Sequence, residues 1–165
     1  IYFSSDRSGR PEIWKTSVEG GSAVQITREG GTEPIESLDG KSIYYLHPSN
    51  SEPAAPDNDD LGLARQLKRV SVIGGRETVV LDAIMRSHWA VTTQGVFFLT
   101  RGPEFDALDL YSPVNGRVTR LGRLPFQVTP IGTIGRFTVS RDGRWVLTVQ
   151  EDRWERDIAM IENFR

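Results

Sequence analysis

The chain has 165 residues, of which 38% are hydrophobic and 25% charged, with a formal net charge of -2 and no cysteine. That composition belongs to a globular domain with a real core and excludes a disordered chain, a disulfide scaffold and a thiolate metal site. The near-neutral charge leaves no electrostatic footprint for nucleic acid or an anionic membrane, so this segment is expected to contact neither.

Apolar–polar alternation, broken by Gly, Asp, Asn and Pro, predicts strands throughout. The first phrase runs through Ile1-Tyr2-Phe3-Ser4, turns at Ser5-Asp6-Arg7-Ser8-Gly9, continues over 12–16, turns at Gly20-Gly21 and ends over 23–27. Strands at 34–38 and 42–46 flank Asp39-Gly40. Residues 48–66 form an insertion, Pro-rich and acidic, expected to be a mobile loop. Strands resume at 68–72 and 77–81 around Gly74-Gly75. A third set takes 88–92, 96–100, 108–112 and 118–121, with turns at Gln94-Gly95 and Asn115-Gly116. The last takes 136–140, 145–150 and 157–161, with Asp142-Gly143 between its first two members. Helical periodicity is confined to the window 61–69. The Asp-Gly pairs read as two-residue hairpin turns with both central residues at positive φ. Asp6 reads as a turn-former whose side chain bonds nearby backbone.

With the insertion set aside, the turn series through Gly40, Gly95 and Gly143 recurs near the about 40–45 residues of a propeller blade. This predicts a single all-β domain: a partial β-propeller of about three and a half four-stranded antiparallel blades. The blades take residues 1–31, 32–84, 85–124 and 125–165 and hold three, four, four and three strands. A propeller ring needs about 4–8 blades, so missing blades or a second copy must close it; two copies would supply roughly seven. Entry in mid-strand at Ile1 points to a piece of a longer protein, and the last residues read as a natural end.

The phrase Tyr2-Phe3-Ser4-Ser5-Asp6-Arg7-Ser8-Gly9, then Ile13-Trp14, Gly20-Gly21 and Gln25-Ile26-Thr27, resembles the TolB-type, WD-like β-propeller repeat. Its strand-joining turn is matched by Ser37-Leu38-Asp39-Gly40-Lys41 and Ser140-Arg141-Asp142-Gly143-Arg144, both without the usual Pro, and by a degenerate Thr93-Gln94-Gly95. The closing stretch 139–165, ending Glu162-Asn163-Phe164-Arg165, is similar to the last blade of propellers fused behind a winged-helix domain in CadC-like bacterial regulators. That resemblance implies a DNA-binding part upstream and, for a membrane-bound regulator, an extracytoplasmic position for this segment.

Reactive groups are few. His47 and His88 are the available imidazole bases, and no G-x-S-x-G elbow accompanies them. His47 reads as a strand-end residue. Arg86, His88 and Trp89 open an innermost strand, where a propeller approaches its central channel, and Glu33 opens another. These four are the candidate binding residues. Glu33 and Glu36 also form a carboxylate pair of the kind glycosidases use, a use not expected here. Asp57, Asp59 and Asp60 lack the Gly and later Glu of a calcium loop. Trp14 and Trp145 should pack between sheets, while Trp154 falls in a polar hairpin. No metal or cofactor is expected.

The expected role is therefore non-catalytic: a sensor or protein-interaction module of a larger bacterial regulator, taking a protein or small-molecule ligand at the propeller face and able to self-associate. The alternatives are the gating propeller of an oligopeptidase-like hydrolase and a periplasmic TolB-like scaffold.

Overall fold

The computed structural model describes residues 1–47, 64–128, 137–152 and 155–161. Among these the chain is all-β, with fourteen strands in four antiparallel sheets. The first sheet holds β1 (Tyr2–Ser5), β2 (Glu12–Lys15) and β3 (Val24–Gln25). The second holds β4 (Thr32–Glu36), β5 (Ser42–His47), β6 (Ala64–Ser71) and β7 (Thr78–Met85). The third holds β8 (Trp89–Val91), β9 (Val96–Thr100), β10 (Ala107–Ser112) and β11 (Arg117–Arg123). The fourth holds β12 (Phe137–Val139), β13 (Val146–Asp152) and β14 (Glu155–Ile161). Spatial order follows chain order in every sheet, so each strand pairs with its neighbour in sequence. Each sheet is a propeller blade, with three, four, four and three strands.

The chain divides into two compact units between Ala83 and Ile84, with two sheets in each. In the first, Ile13, Ile26, Ile43, Tyr45 and Val70 form the core, with Tyr2 and Val72 packed on it. In the second, Phe97, Leu99, Leu108, Leu124, Val128, Phe137 and Val146 do so together with Met85. The second strand of each complete blade is buried on both faces: Ile43-Tyr44-Tyr45-Leu46 in β5 and Val96-Phe97-Phe98-Leu99 in β9. Continuous apolar runs bounded by turns are the sequence form of such a strand.

The window read as helical, 61–69, is strand from Ala64 onward. Leu67 and Val70 are buried, and β6 pairs with β5 from Ser42↔Ser71 to His47↔Gln66. The insertion thus ends before Ala64, and the rest of it lies outside the described residues. The Asp-Gly turns also differ from expectation: Gly40 (φ 68°) and Gly143 (φ 71°) take the left-handed conformation, but Asp39 and Asp142 do not. Instead the aspartates are acceptors. Asp39 Oδ1 takes the Ser37 hydroxyl at 2.6 Å and the Lys41 N–H at 3.1 Å; Asp142 Oδ1 takes Ser140 at 2.6 Å and Arg144 at 3.1 Å. The loop is longer than two residues, closed by Ser37 against Ser42 and Ser140 against Trp145. At Ser5–Gly9 the turn is closed by the Asp6 carbonyl, which accepts from the Gly9 N–H at 2.7 Å, not by the Asp6 carboxylate.

Gly31 packs against side chains of both the first and the second sheet. A Cβ there would lie 2.9 Å from Ile13 Cγ1 and 3.0 Å from Tyr45 Cδ2, both in fully buried side chains. Gly31→Ala is expected to destabilise the fold by about 1–3 kcal/mol through overpacking. Gly122→Ala, where a Cβ meets nothing within 4 Å, is expected to change stability by less than about 0.5 kcal/mol. Urea denaturation of both variants checks the difference; equal effects would contradict this packing.

Candidate functional site

Glu33 lies in β4 and is half-buried, within a register shift between Thr32 and Ile35. Its φ of 52° is left-handed, and the only other such non-glycine among the described residues is Ser87, at φ 58°. Both sit at the entry to the innermost strand of a complete blade. Holding a non-glycine residue there costs about 1–3 kcal/mol, and such strain gathers at functional positions.

Arg86, His88 and Trp89 are brought together at the second of these entries. His88 Nδ1 lies 2.7 Å from the Arg86 carbonyl, so that nitrogen carries a proton and donates. The His88 backbone donates to Met85 and accepts from Leu99 at 3.0 Å. His88 and Trp89 are each only 4% exposed, with Trp89 paired opposite Phe98. Their side chains are part of the interior, while Arg86 remains half-exposed. Glu33 belongs to the other unit. His47, read as a strand-end residue, is buried, with Nε2 2.6 Å from the Glu29 carbonyl. Trp14 is half-buried, capped by the Arg7 guanidinium 4.9 Å from its ring. Trp154, the acidic insertion and the tail 162–165 lie outside the described residues.

Sequence reasoning missed a set of buried ionisable groups. Glu12, 1% exposed, accepts from the Thr27 hydroxyl at 2.6 Å, the Gly30 N–H at 3.0 Å and Arg10 Nε at 2.7 Å. Thr27 in turn accepts from the Ile13 N–H at 2.9 Å. Lys68 Nζ lies 3.2 Å from Glu29 and 3.9 Å from Glu77. Glu77 also accepts from the Tyr45 hydroxyl at 2.7 Å and the Arg28 N–H at 2.9 Å. Burial first, and then the bond to Glu77, pushes the Tyr45 hydroxyl far above the usual phenol range. In the second unit, Asp106 accepts from the Val128 N–H at 2.8 Å, with Arg101 Nε 3.4 Å away. Asp109 accepts from the Thr100 hydroxyl at 2.7 Å and from Arg120 Nε and Nη2 at 3.0 and 3.2 Å. The hydrogen bond and charge of Asp109 raise the Arg120 guanidinium further. These groups fasten loops to strands or, at Asp109, strand to strand. Their one sequence signal is a charged residue inside an apolar run, as in Leu108-Asp109-Leu110 and Leu67-Lys68. Among the described residues no three His, Asp or Glu converge on a metal position.

Four up-and-down sheets with these turns make the chain a partial β-propeller. Its fold is that of TolB: the crystal structure of TolB from Acinetobacter baumannii superposes with a TM-score of 0.69 at 21% identity, over 98% of this chain and 38% of that one. The tricorn protease structure superposes with a TM-score of 0.54 at 13% identity, over 98% of this chain and 20% of that one. The chain thus spans well under two thirds of either protein. No family model and no curated protein matches the sequence.

The turn carboxylates give this part of the structure a pH signature. The Ser37 hydroxyl, and then the Lys41 N–H, hold Asp39 below its ordinary 3.8; Ser140 and Arg144 do the same for Asp142. A carboxylate depressed in the folded state adds stability that is complete above the unfolded pKa and lost as pH falls through the folded one. Ser37→Ala is expected to return Asp39 toward 3.8, read by carboxyl NMR titration. Its stability deficit relative to the parent chain should shrink as pH falls below the folded pKa. A deficit that grew toward low pH would contradict the turn network.

Proposed function

We propose that this chain is a non-catalytic ligand- or protein-binding module, a propeller segment of a larger bacterial regulator of the CadC-like, winged-helix type. The observation that carries the reading is the matched pair of left-handed non-glycine residues, Glu33 and Ser87, at the entries to the two complete innermost strands. Strain at these two strand entries supports a binding surface within each unit, with Glu33 half-buried in the first and Arg86 half-buried in the second. The buried acids support the same reading. Glu12, Asp106 and Asp109 are engaged by hydroxyls, N–H groups and arginines that hold the scaffold, a poor arrangement for a general acid or base. A rigid frame carrying polar groups on short loops suits recognition.

A ring of about 4–8 blades exceeds what fourteen strands supply, so further blades or a second copy complete it. The last sheet favours this. Register places Leu147 opposite Met160 and Val149 opposite Ile158 on one face, where Ile158 is 77% and Met160 62% exposed. In such a protein the segment would lie outside the cytoplasm, with its DNA-binding part elsewhere in the chain.

The test is a thermal-shift screen of the full chain against amino acids, short peptides and sugars, alongside peptide and ester hydrolysis assays. Glu33→Ala or Arg86→Ala is expected to weaken a hit bound at its own strand entry by about tenfold or more, in a variant that still unfolds cooperatively. Hydrolysis by the full chain that His88→Ala abolishes in a folded variant would overturn the non-catalytic reading and favour the hydrolase alternative.

A further inference from the structure

A cavity of about 270 Å³ opens in the second unit, between the β9–β10 loop and β11. Three arginines line it, Arg101, Arg120 and Arg123, with Thr100, Gly102 and Phe105 among their neighbours. One carboxylate, Glu104, lines it too, and Asp106 and Asp109 stand behind two of the arginines.

The gathering of these arginines is the work of a β-bulge. In a regular strand, residues three apart point to opposite faces. Here Ala107 pairs with Arg123 and Asp109 with Arg120, the register shifting between Leu108 and Asp109. Leu121 is the extra residue. Ala107 and Asp109 share a face, so Arg120 and Arg123 share it as well. Thr100 joins the row by pairing with Ala107 on the other side.

Two of the arginines are anchored from behind. Arg120 forms a two-point pair with Asp109, which is 3% exposed. Arg101 Nε lies 3.4 Å from fully buried Asp106, and its Nη2 donates to the Val128 carbonyl at 2.9 Å. A guanidinium has five N–H donors, so each keeps donors beyond those its anchor uses. Held in place, they lose little conformational freedom when a ligand binds. Arg123 is exposed, and beyond its backbone pairing with Ala107 its side chain makes no ion pair or hydrogen bond among the described residues. The loop opposite is built tightly. A side chain at Gly102 would overlap the Phe105 carbonyl, and the Gln127 amide donates to the Gly102 carbonyl at 2.6 Å. Phe105, 42% exposed, supplies an apolar lip.

We propose that this cavity binds an oxyanion, a phosphate or carboxylate group carried on a small molecule, with Arg123 closing on a ligand that Arg101 and Arg120 orient. Planar guanidinium forks match both groups with paired, charge-assisted hydrogen bonds. The volume lies just below the about 300–1,000 Å³ of pockets for drug-sized ligands, which suits a compact one. The site is separate from the inner-strand residues above and does not depend on their reading.

The experiment is calorimetric titration of the full chain with sodium phosphate and, separately, sodium succinate at constant ionic strength, with sodium chloride as control. One-to-one binding of at least one anion is expected. Arg123→Ala and Arg123→Glu should weaken it by about tenfold or more without lowering Tm, because that side chain is exposed and unbonded. Arg123→Lys, which keeps the charge and loses the fork, should fall between. Binding of phosphate alone identifies a phosphoryl ligand, and of succinate alone a carboxylate ligand. Heat from neither anion, or an Arg123→Glu variant that binds as well as the parent chain, overturns the proposal.

Discussion

Burial of the second strand on both faces is the constraint on which the rest of the structure depends. From Ile43 to Leu46 and from Val96 to Leu99 every side chain is within 4% of complete burial. A sheet covered on both sides cannot use the usual solution of one apolar and one wet face. Its polar side chains must sit at strand ends, in turns, or in pairs. Apolar burial at about 25 cal/mol per Å² then comes from two directions at once. The same constraint makes Gly31 necessary where the first two sheets approach, because Ile13 and Tyr45 already fill the space.

The paired charges follow from it. Glu12 and Asp106 lie at strand ends and Lys68 and Asp109 inside strands, each nearly or wholly inaccessible, and each with a partner. An ion pair in such a place contributes little net stability, since desolvation offsets most of the attraction. Removing one member leaves a buried charge uncompensated, and that is costly. These groups therefore select one arrangement of loop on strand more than they strengthen the fold. Asp109 does this twice, holding Thr100 of β9 and Arg120 of β11 across its own strand.

Much of the architecture was legible. Residues 42–46 and 96–100 were legible as strands, though not as strands covered on both faces, and the Gly-containing turns marked the blade intervals. Legibility failed where local pattern and tertiary pairing disagree. Residues 64–69 mix charged and apolar side chains, yet pairing with β5 makes them strand, with the charge of Lys68 met by Glu29. The Asp-Gly pairs signalled turns correctly but not their length, because the serine before each aspartate closes a wider loop. Of the four candidate binding residues, His88 and Trp89 were legible as the start of an inner strand; that their side chains turn inward was not.

The all-β class, the sheet order and the turn positions are written into local pattern. Those rest on alternation and on glycine's freedom at positive φ, both properties of a few adjacent residues. Which charges are consumed and which are presented depends on how strands pair in space. Arg120 and Arg123 are three apart and would face opposite sides of a regular strand; an extra residue in one strand turns them to the same side. A bulge exists only in relation to a partner strand, so no pattern within β11 announces it.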